Sequence, residues 1–462
     1  MNKLEKLMYK KRTENGDVAY ETTGNMLTDI FFMTPFFEKN LSQVKIGTSE
    51  KEKLFAMYIR DARLGLGRRD LGRELMKQAE VKPSDIVLAG RYDDLWHIPT
   101  DKNLDYLQFQ IYTKNDELAK KWLPRLTSKD KLVAKELCKM WHLTEKQYRK
   151  LIKVSTTEYK LSYAEKTADI SPLSDLFHRY IYEHPLVDEI KFEQVPSLAM
   201  KKYLRCFSTR EDLKDRFNEY MQQVKENKKK INVSTTNVVD AKNIVMGDWT
   251  TQDYKENKEI LGKKIVDNAT KGIKTNAIVV LDTSGSMGNL YYKDSLLYKA
   301  MAIAHGISTN SIYAKNQLIS FSSRPRLMTI KGDTLEEQYK SMYTGDCSNT
   351  DFGKVMQLLK GLQKYPEYII VISDMEFDMG SNTSKKETMR LFKENGARTK
   401  IIWWNLNDRN KTAPEFDEYG NIFLSGYNLQ LLNLIESKFD MNENLNKILR
   451  DYAKKIGKDI DF

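Results

Sequence analysis

The chain has 462 residues, with 40% hydrophobic and 30% charged side chains and a formal net charge of +11. That is room for two to four soluble domains, and the charge permits a polyanionic partner such as RNA without requiring one. No run of about 18 apolar residues occurs, and the opening MNKLEKLMYKKRTENG lacks an apolar core, so no membrane span and no signal peptide are expected.

Cys138, Cys206 and Cys347 show no metal-ligand spacing. They fit buried thiols in a reducing cytoplasm.

From about residue 15 to 260 the pattern is mostly helical. Leu54, Phe55, Tyr58, Ile59 and Ala62 recur at helical spacing, and Gly65 and Gly67 punctuate the next start near Asp70. Further helices are expected over 105–112, 116–123, 129–141, 145–154 and 210–225, with Pro83, Pro124 and Pro196 in the breaks. This is the rhythm of stacked helical hairpins, without a clean repeat. KENKKKINVSTTNVVD, residues 225–240, reads as a basic loop or a solvated linker.

After Thr275 the pattern changes. The apolar runs NAIVVLD, QLISFSS, RLMTI, YIIVISD, KIIWWNLN and NIFLSG alternate with amphipathic helical stretches at 295–306, 352–362, 385–394 and 429–437. Runs without alternation imply strands buried on both faces, hence a mostly parallel, doubly wound α/β sheet. The expected division is a helical domain over 1–270 and an α/β domain over 271–462.

IVVLDTSGSMGNL, residues 278–290, ends one such strand on Asp282 and follows it with Ser284 and Ser286 at alternating positions. In this sheet class ligands collect beyond the carboxyl ends of the strands. CSNTDFGK places Thr350 before a helix, and VISDMEFD places Asp374 at the end of a second buried strand. Two carboxylates and three hydroxyls are hard oxygen donors, suited to Mg²⁺ or Mn²⁺ with water completing the shell. Few carboxylates leave the ion under-neutralised, so it should accept an acidic group from a partner. Neither Gly-x-Ser-x-Gly nor a phosphate-loop glycine pattern surrounds these serines, and His305 has no evident role as a base. No catalytic residues are expected.

The ligand set resembles, residue by residue, the metal-ion-dependent adhesion site (MIDAS) of von Willebrand factor A domains. That resemblance implies direct ligation by Ser284, Ser286 and Thr350, with Asp282 and Asp374 coordinating directly or through water. Further stretches, among them RDARLGLGRRDL, GRYDDLW, FEQVPSLAMKKYLRCF and SDMEFD, resemble a family of plants, fungi, microbes and large viruses or phages. Its members join a helical N-terminal region to a C-terminal von Willebrand factor A domain.

The arrangement is in turn similar to the Ro-like ribonucleoproteins, whose TROVE domain is a ring of HEAT-like helical repeats. The resemblance implies a non-catalytic RNA-binding protein, holding single-stranded ends or small structured RNA. Candidate RNA contacts are Arg60, Arg63, Arg68, Arg69 and Arg73, then Lys120, Lys121 and Arg125 around Trp122. Lys201, Lys202 and Arg205 beside Tyr203 and Phe207, and Lys228, Lys229 and Lys230, complete the set. Asp61, Asp70, Asp93 and Asp94 stand ready to pair with the arginines instead. The alternative is a metal-dependent protein-interaction module, or a phage structural component, with no RNA role.

Overall fold

In a computed structural model of the chain, the residues described are 10–152, 190–247, 251–343, 345, 348–362, 364–414, 421–434 and 441–460. Nine strands lie among them. They are β1 (Lys10–Arg12), β2 (Val18–Tyr20), β3 (Ala277–Asp282), β4 (Gln317–Phe321) and β5 (Arg326–Thr329), then β6 (Tyr368–Ser373), β7 (Lys400–Asn405), β8 (Ala413–Pro414) and β9 (Asn421–Ser425).

The six expected apolar runs become the six strands of one sheet, in the order β5-β4-β3-β6-β7-β9. Every pairing is parallel except β4 with β5. β3 and β6 are buried along their whole length, as unbroken Val and Ile require. After β3 the chain moves outward to β4 and β5, then returns to place β6 on β3's other side. In sheets of this class ligands bind at such a reversal, beyond the carboxyl ends of the two strands, here β3 and β6.

The expected helices form with small shifts at their ends: Leu296–Ser308, Phe352–Lys360 and Ser381–Glu394. The last expected helix is a 3-10 segment, Leu429–Leu434, and 435–437 lie outside the described residues.

Two compact units are present. One comprises residues 1–46, 236–248 and 261–462; the other comprises 47–235 and 249–260. These units are discontinuous in sequence, where a single cut after residue 270 was expected. In the first unit, β2 pairs antiparallel with β1 and with β8, nearly four hundred residues later. The sequence pattern read this N-terminal stretch as the start of a mostly helical region. Strands of three residues are too short to display a period, and their partner is remote.

The second unit is helical in its described part. Its helices include Glu50–Arg60, Arg69–Gln78, Asp101–Tyr112, Lys131–Met140, Glu145–Leu151, Ser197–Thr209 and Lys214–Lys225. Ser49 and Thr144 open two of them with reciprocal capping boxes to Glu52 and Gln147. The expected 145–154 helix runs to Leu151, and residues 153–154 lie outside the described set. Lys228–Lys230 fall in an exposed turn and loop, and the helix Val238–Val245 begins soon after. Cys138 is buried and Cys206 half-buried; Cys347 is not among the described residues. Among the described residues no helix is long and apolar enough to cross a membrane.

Candidate metal centre

Asp282 is the last residue of β3 and is fully buried. Its Oδ1 accepts the Ser284 amide at 2.9 Å, closing the turn that brings the next two serines round. Its Oδ2 accepts the Ser373 hydroxyl at 2.6 Å, which ties the end of β3 to the end of β6. Thr283, between them, faces β4 and gives both its amide and its hydroxyl to the Phe321 carbonyl. The hydroxyl oxygens of Ser284 and Ser286 lie 3.1 Å apart. Ser284 is buried and Ser286 half-buried, so the cluster opens toward solvent on the Ser286 side. Gly288 follows at φ +82°, where a Cβ would come within 3.0 Å of Ser295 Cβ, so this turn requires glycine.

Asp374 directly follows β6 and is buried. The Glu376 amide donates to its carboxylate at 3.3 Å, and the nearby Ser286 hydroxyl helps to lower its pKa. Met375, buried beside it, holds a left-handed φ of +66°, a strained conformation for a non-glycine residue of the kind that collects at functional sites. The third loop arrives through its backbone. Gly285 donates its amide to the Ser348 carbonyl at 3.3 Å, and Asp378 donates to the Thr350 carbonyl at 2.9 Å. Thr350 is thus buried between the Ser284 and Asp374 loops, just before the helix that Asp351 caps. All five residues expected as ligands are therefore carried on three loops tied to one another at the reversal of the sheet.

The charge balance favours a cation. Burial, and then the neighbouring charge of Asp374, push the Asp282 carboxyl up to about 7, against hydrogen bonds from Ser284 and Ser373 that hold it down. Asp374 is raised as well, mainly by burial, with Glu376 adding to the repulsion and Arg409 opposing it. A divalent ion among these oxygens would relieve both carboxylates. Among the described residues no group of three or more His, Cys, Asp or Glu side chains is placed to hold a metal. The candidate here is hydroxyl-rich, and the residues present fit Mg²⁺ or Mn²⁺ better than a thiolate or imidazole metal.

Two neighbours of the site lay beyond sequence reasoning. Glu376, buried, accepts from the Glu14 amide, the Asn407 side chain and the Thr412 hydroxyl, and so binds the N-terminal hairpin to the Asp374 loop. Arg409 places Nη2 3.0 Å from Asp374 Oδ2. Glu376 lies within the SDMEFD stretch, but its partners, like the reach of Arg409 to Asp374, cross long sequence separations.

The candidate RNA contacts separate into two classes. Arg60 is buried with Asp94 at 2.7 Å, and Arg73 meets Asp94 at 2.6 Å and Asp93 at 3.3 Å. Those two guanidiniums hold the helical unit together and are not presented to phosphate, which corrects their assignment as RNA contacts. Arg68 is half-buried, whereas Arg63 and Arg69 are exposed. Arg91, absent from the candidate set, joins Asp93 and lies 4.1 Å over the Trp122 ring, covering one face that a base would need. Lys120 pairs with Asn115 and Glu117; Lys121 sits 5.6 Å from the Trp122 centroid, and Arg125 is exposed. Lys201 is half-buried, Lys202 lies 4.7 Å over Tyr203, and Arg205 is exposed, while Phe207 is core. Lys228 and Lys229 pair with Glu226 and Glu193, and Lys230 is exposed.

Residues 276–459 match a family described as "Domain of unknown function (DUF7788)". Residues 106–268 match a second, "Domain of unknown function (DUF2828)". A curated relative, "Uncharacterized protein L728" of Acanthamoeba polyphaga mimivirus, is 24% identical over 93% of this chain and 85% of its own length. Among solved structures, the Deinococcus radiodurans Ro (RSR) protein aligns over 94% of each chain at 11% identity and a TM-score of 0.39.

Proposed function

We propose that this is a non-catalytic binding protein whose α/β unit, a von Willebrand factor A-type domain, holds Mg²⁺ or Mn²⁺ at a MIDAS-like site. The open coordination positions of the ion take an acidic group from a protein partner. Ser284, Ser286 and Thr350 would supply hydroxyl ligands, and Asp282 and Asp374 the charge. The observation that carries this reading is the meeting of these residues' loops at the sheet reversal, with two buried carboxylates under-compensated. No histidine is joined to either serine by a hydrogen bond among the described residues; His305 bonds to Gln338 instead. Calorimetric titration with MnCl₂ tests the site: binding should be lost in Ser286→Ala and Asp374→Ala. Unchanged binding in both variants sinks it.

A second reading concerns RNA. Exposed Arg63, Arg69, Arg125, Lys202, Arg205 and Lys228–Lys230, on a chain of net charge +11, make the helical unit a candidate polyanion surface of the TROVE-like kind. Filter binding of single-stranded and hairpin RNA across a salt series should then give a steep salt dependence that survives Asp282→Ala. No retention at low salt removes this reading.

A further inference from the structure

Arg409 bears on the ion site in a way the ligand set alone does not reveal. Its backbone is pinned beside Asp374. The Arg409 amide donates to Asn407 Oδ1 at 2.8 Å, while the Asn407 side chain donates to the Asp374 carbonyl at 2.8 Å and to Glu376 at 3.1 Å. From that anchored turn the guanidinium reaches Asp374 Oδ2, 3.0 Å away, with Ser286 O at 3.5 Å.

The two members of this pair are unequal. The Asp374 side chain is fully buried, but that of Arg409 is 45% exposed. The contrast with Arg60 is instructive: Arg60 is 6% exposed against an equally buried Asp94, and could not leave without stranding a charge. A half-exposed guanidinium gives up its partner and is rehydrated at little cost. The carboxylate it would leave gains nothing from water, so it needs another cation in exchange.

We infer that Arg409 is a tethered counter-cation of the ion site, neutralising Asp374 while no divalent ion is bound and being displaced from it when one binds. The inference rests on the metal reading above and adds a regulation to it. Guanidinium and divalent ion compete for one carboxylate, so Arg409 sets the affinity of the site and is released to solvent on its loading.

Two measurements test it. The first is calorimetric titration of the full-length wild type and Arg409→Ala with MnCl₂. Removing the competitor should lower the Kd roughly tenfold, the factor that one charge-assisted hydrogen bond commands. The second is modification by phenylglyoxal, located by peptide mass spectrometry. Arg409 should become several-fold more reactive in saturating Mg²⁺, and in Asp374→Ala it should be reactive with or without the ion.

Equal or weaker Mn²⁺ binding by Arg409→Ala overturns the inference while leaving the ion site standing. So does Arg409 reactivity that Mg²⁺ leaves unchanged or reduces. If neither the wild type nor Arg409→Ala binds Mn²⁺ at millimolar concentration, the metal reading fails and this inference fails with it.

Discussion

Replacing Asp282 by Asn removes a charge from the most buried part of the candidate site, and two opposing effects can be set against each other. A carboxyl moved from its ordinary value to about 7 penalises the ionised form by about 4 kcal/mol at pH 8. Asn escapes this penalty and can still accept the Ser284 amide through Oδ1. It loses the acceptor for the buried Ser373 hydroxyl, which costs about 2 kcal/mol. The net expectation is that Asp282→Asn is more stable than the wild type in EDTA at pH 8, by about 2 kcal/mol.

The sign with pH follows from the raised value. The wild-type contribution is intact below the unfolded carboxyl's pKa and is lost as pH rises through about 7, so the advantage of Asn should close by about pH 5. Saturating Mg²⁺ should stabilise the wild type by about 3 kcal/mol at a hundred times Kd, and Asn not at all, reversing the order. Hydrogen exchange of peptides covering β3 and β6 reads the stability of this unit directly. A variant that is less stable than wild type in EDTA, by an amount independent of pH, would refute the reasoning and make Asp282 a structural anchor only.

Lys242 is buried with its Nζ on the Tyr298 carbonyl at 2.9 Å and 3.9 Å from that ring's centroid. Burial holds its amine well below the usual range, so Lys242→Met should raise stability by about 1–2 kcal/mol in urea melts. His305, pushed down to about 4 by burial, should stay neutral in the fold. Stability should therefore fall as pH drops from about 6.5 toward 4, and His305→Gln should flatten that limb of a pH series of urea midpoints. Asp94→Ala strands the buried Arg60 in the helical unit and leaves Arg73 to Asp93; it should cost about 3–5 kcal/mol, seen as lost exchange protection in the helix Glu50–Arg60. Its effect on RNA retention should follow that loss of structure rather than any lost phosphate contact.

The chain's local chemistry determined a good deal by itself. Unbroken Val and Ile runs specify strands buried on both faces, and β3 and β6 form so, whereas RLMTI, which lacks such a run, forms a mostly exposed antiparallel edge strand. Asp282, Ser284 and Ser286 could be read as one cluster, because a turn after a strand brings alternate positions together. Thr350 and Asp374 could be added because they too stand at element ends.

Only the tertiary structure decided the rest. The strand order that sets β3 beside β6, the pairing of β2 with β8, the Glu376 clamp and the reach of Arg409 to Asp374 all join residues far apart in sequence. Such contacts leave no period or spacing to read. The same holds for the arginines: in sequence Arg60 and Arg69 look alike, and only the fold buries the first against Asp94 while leaving the second exposed. Whether a cation is a strut or a surface depends on which carboxylate reaches it, and that is settled by packing.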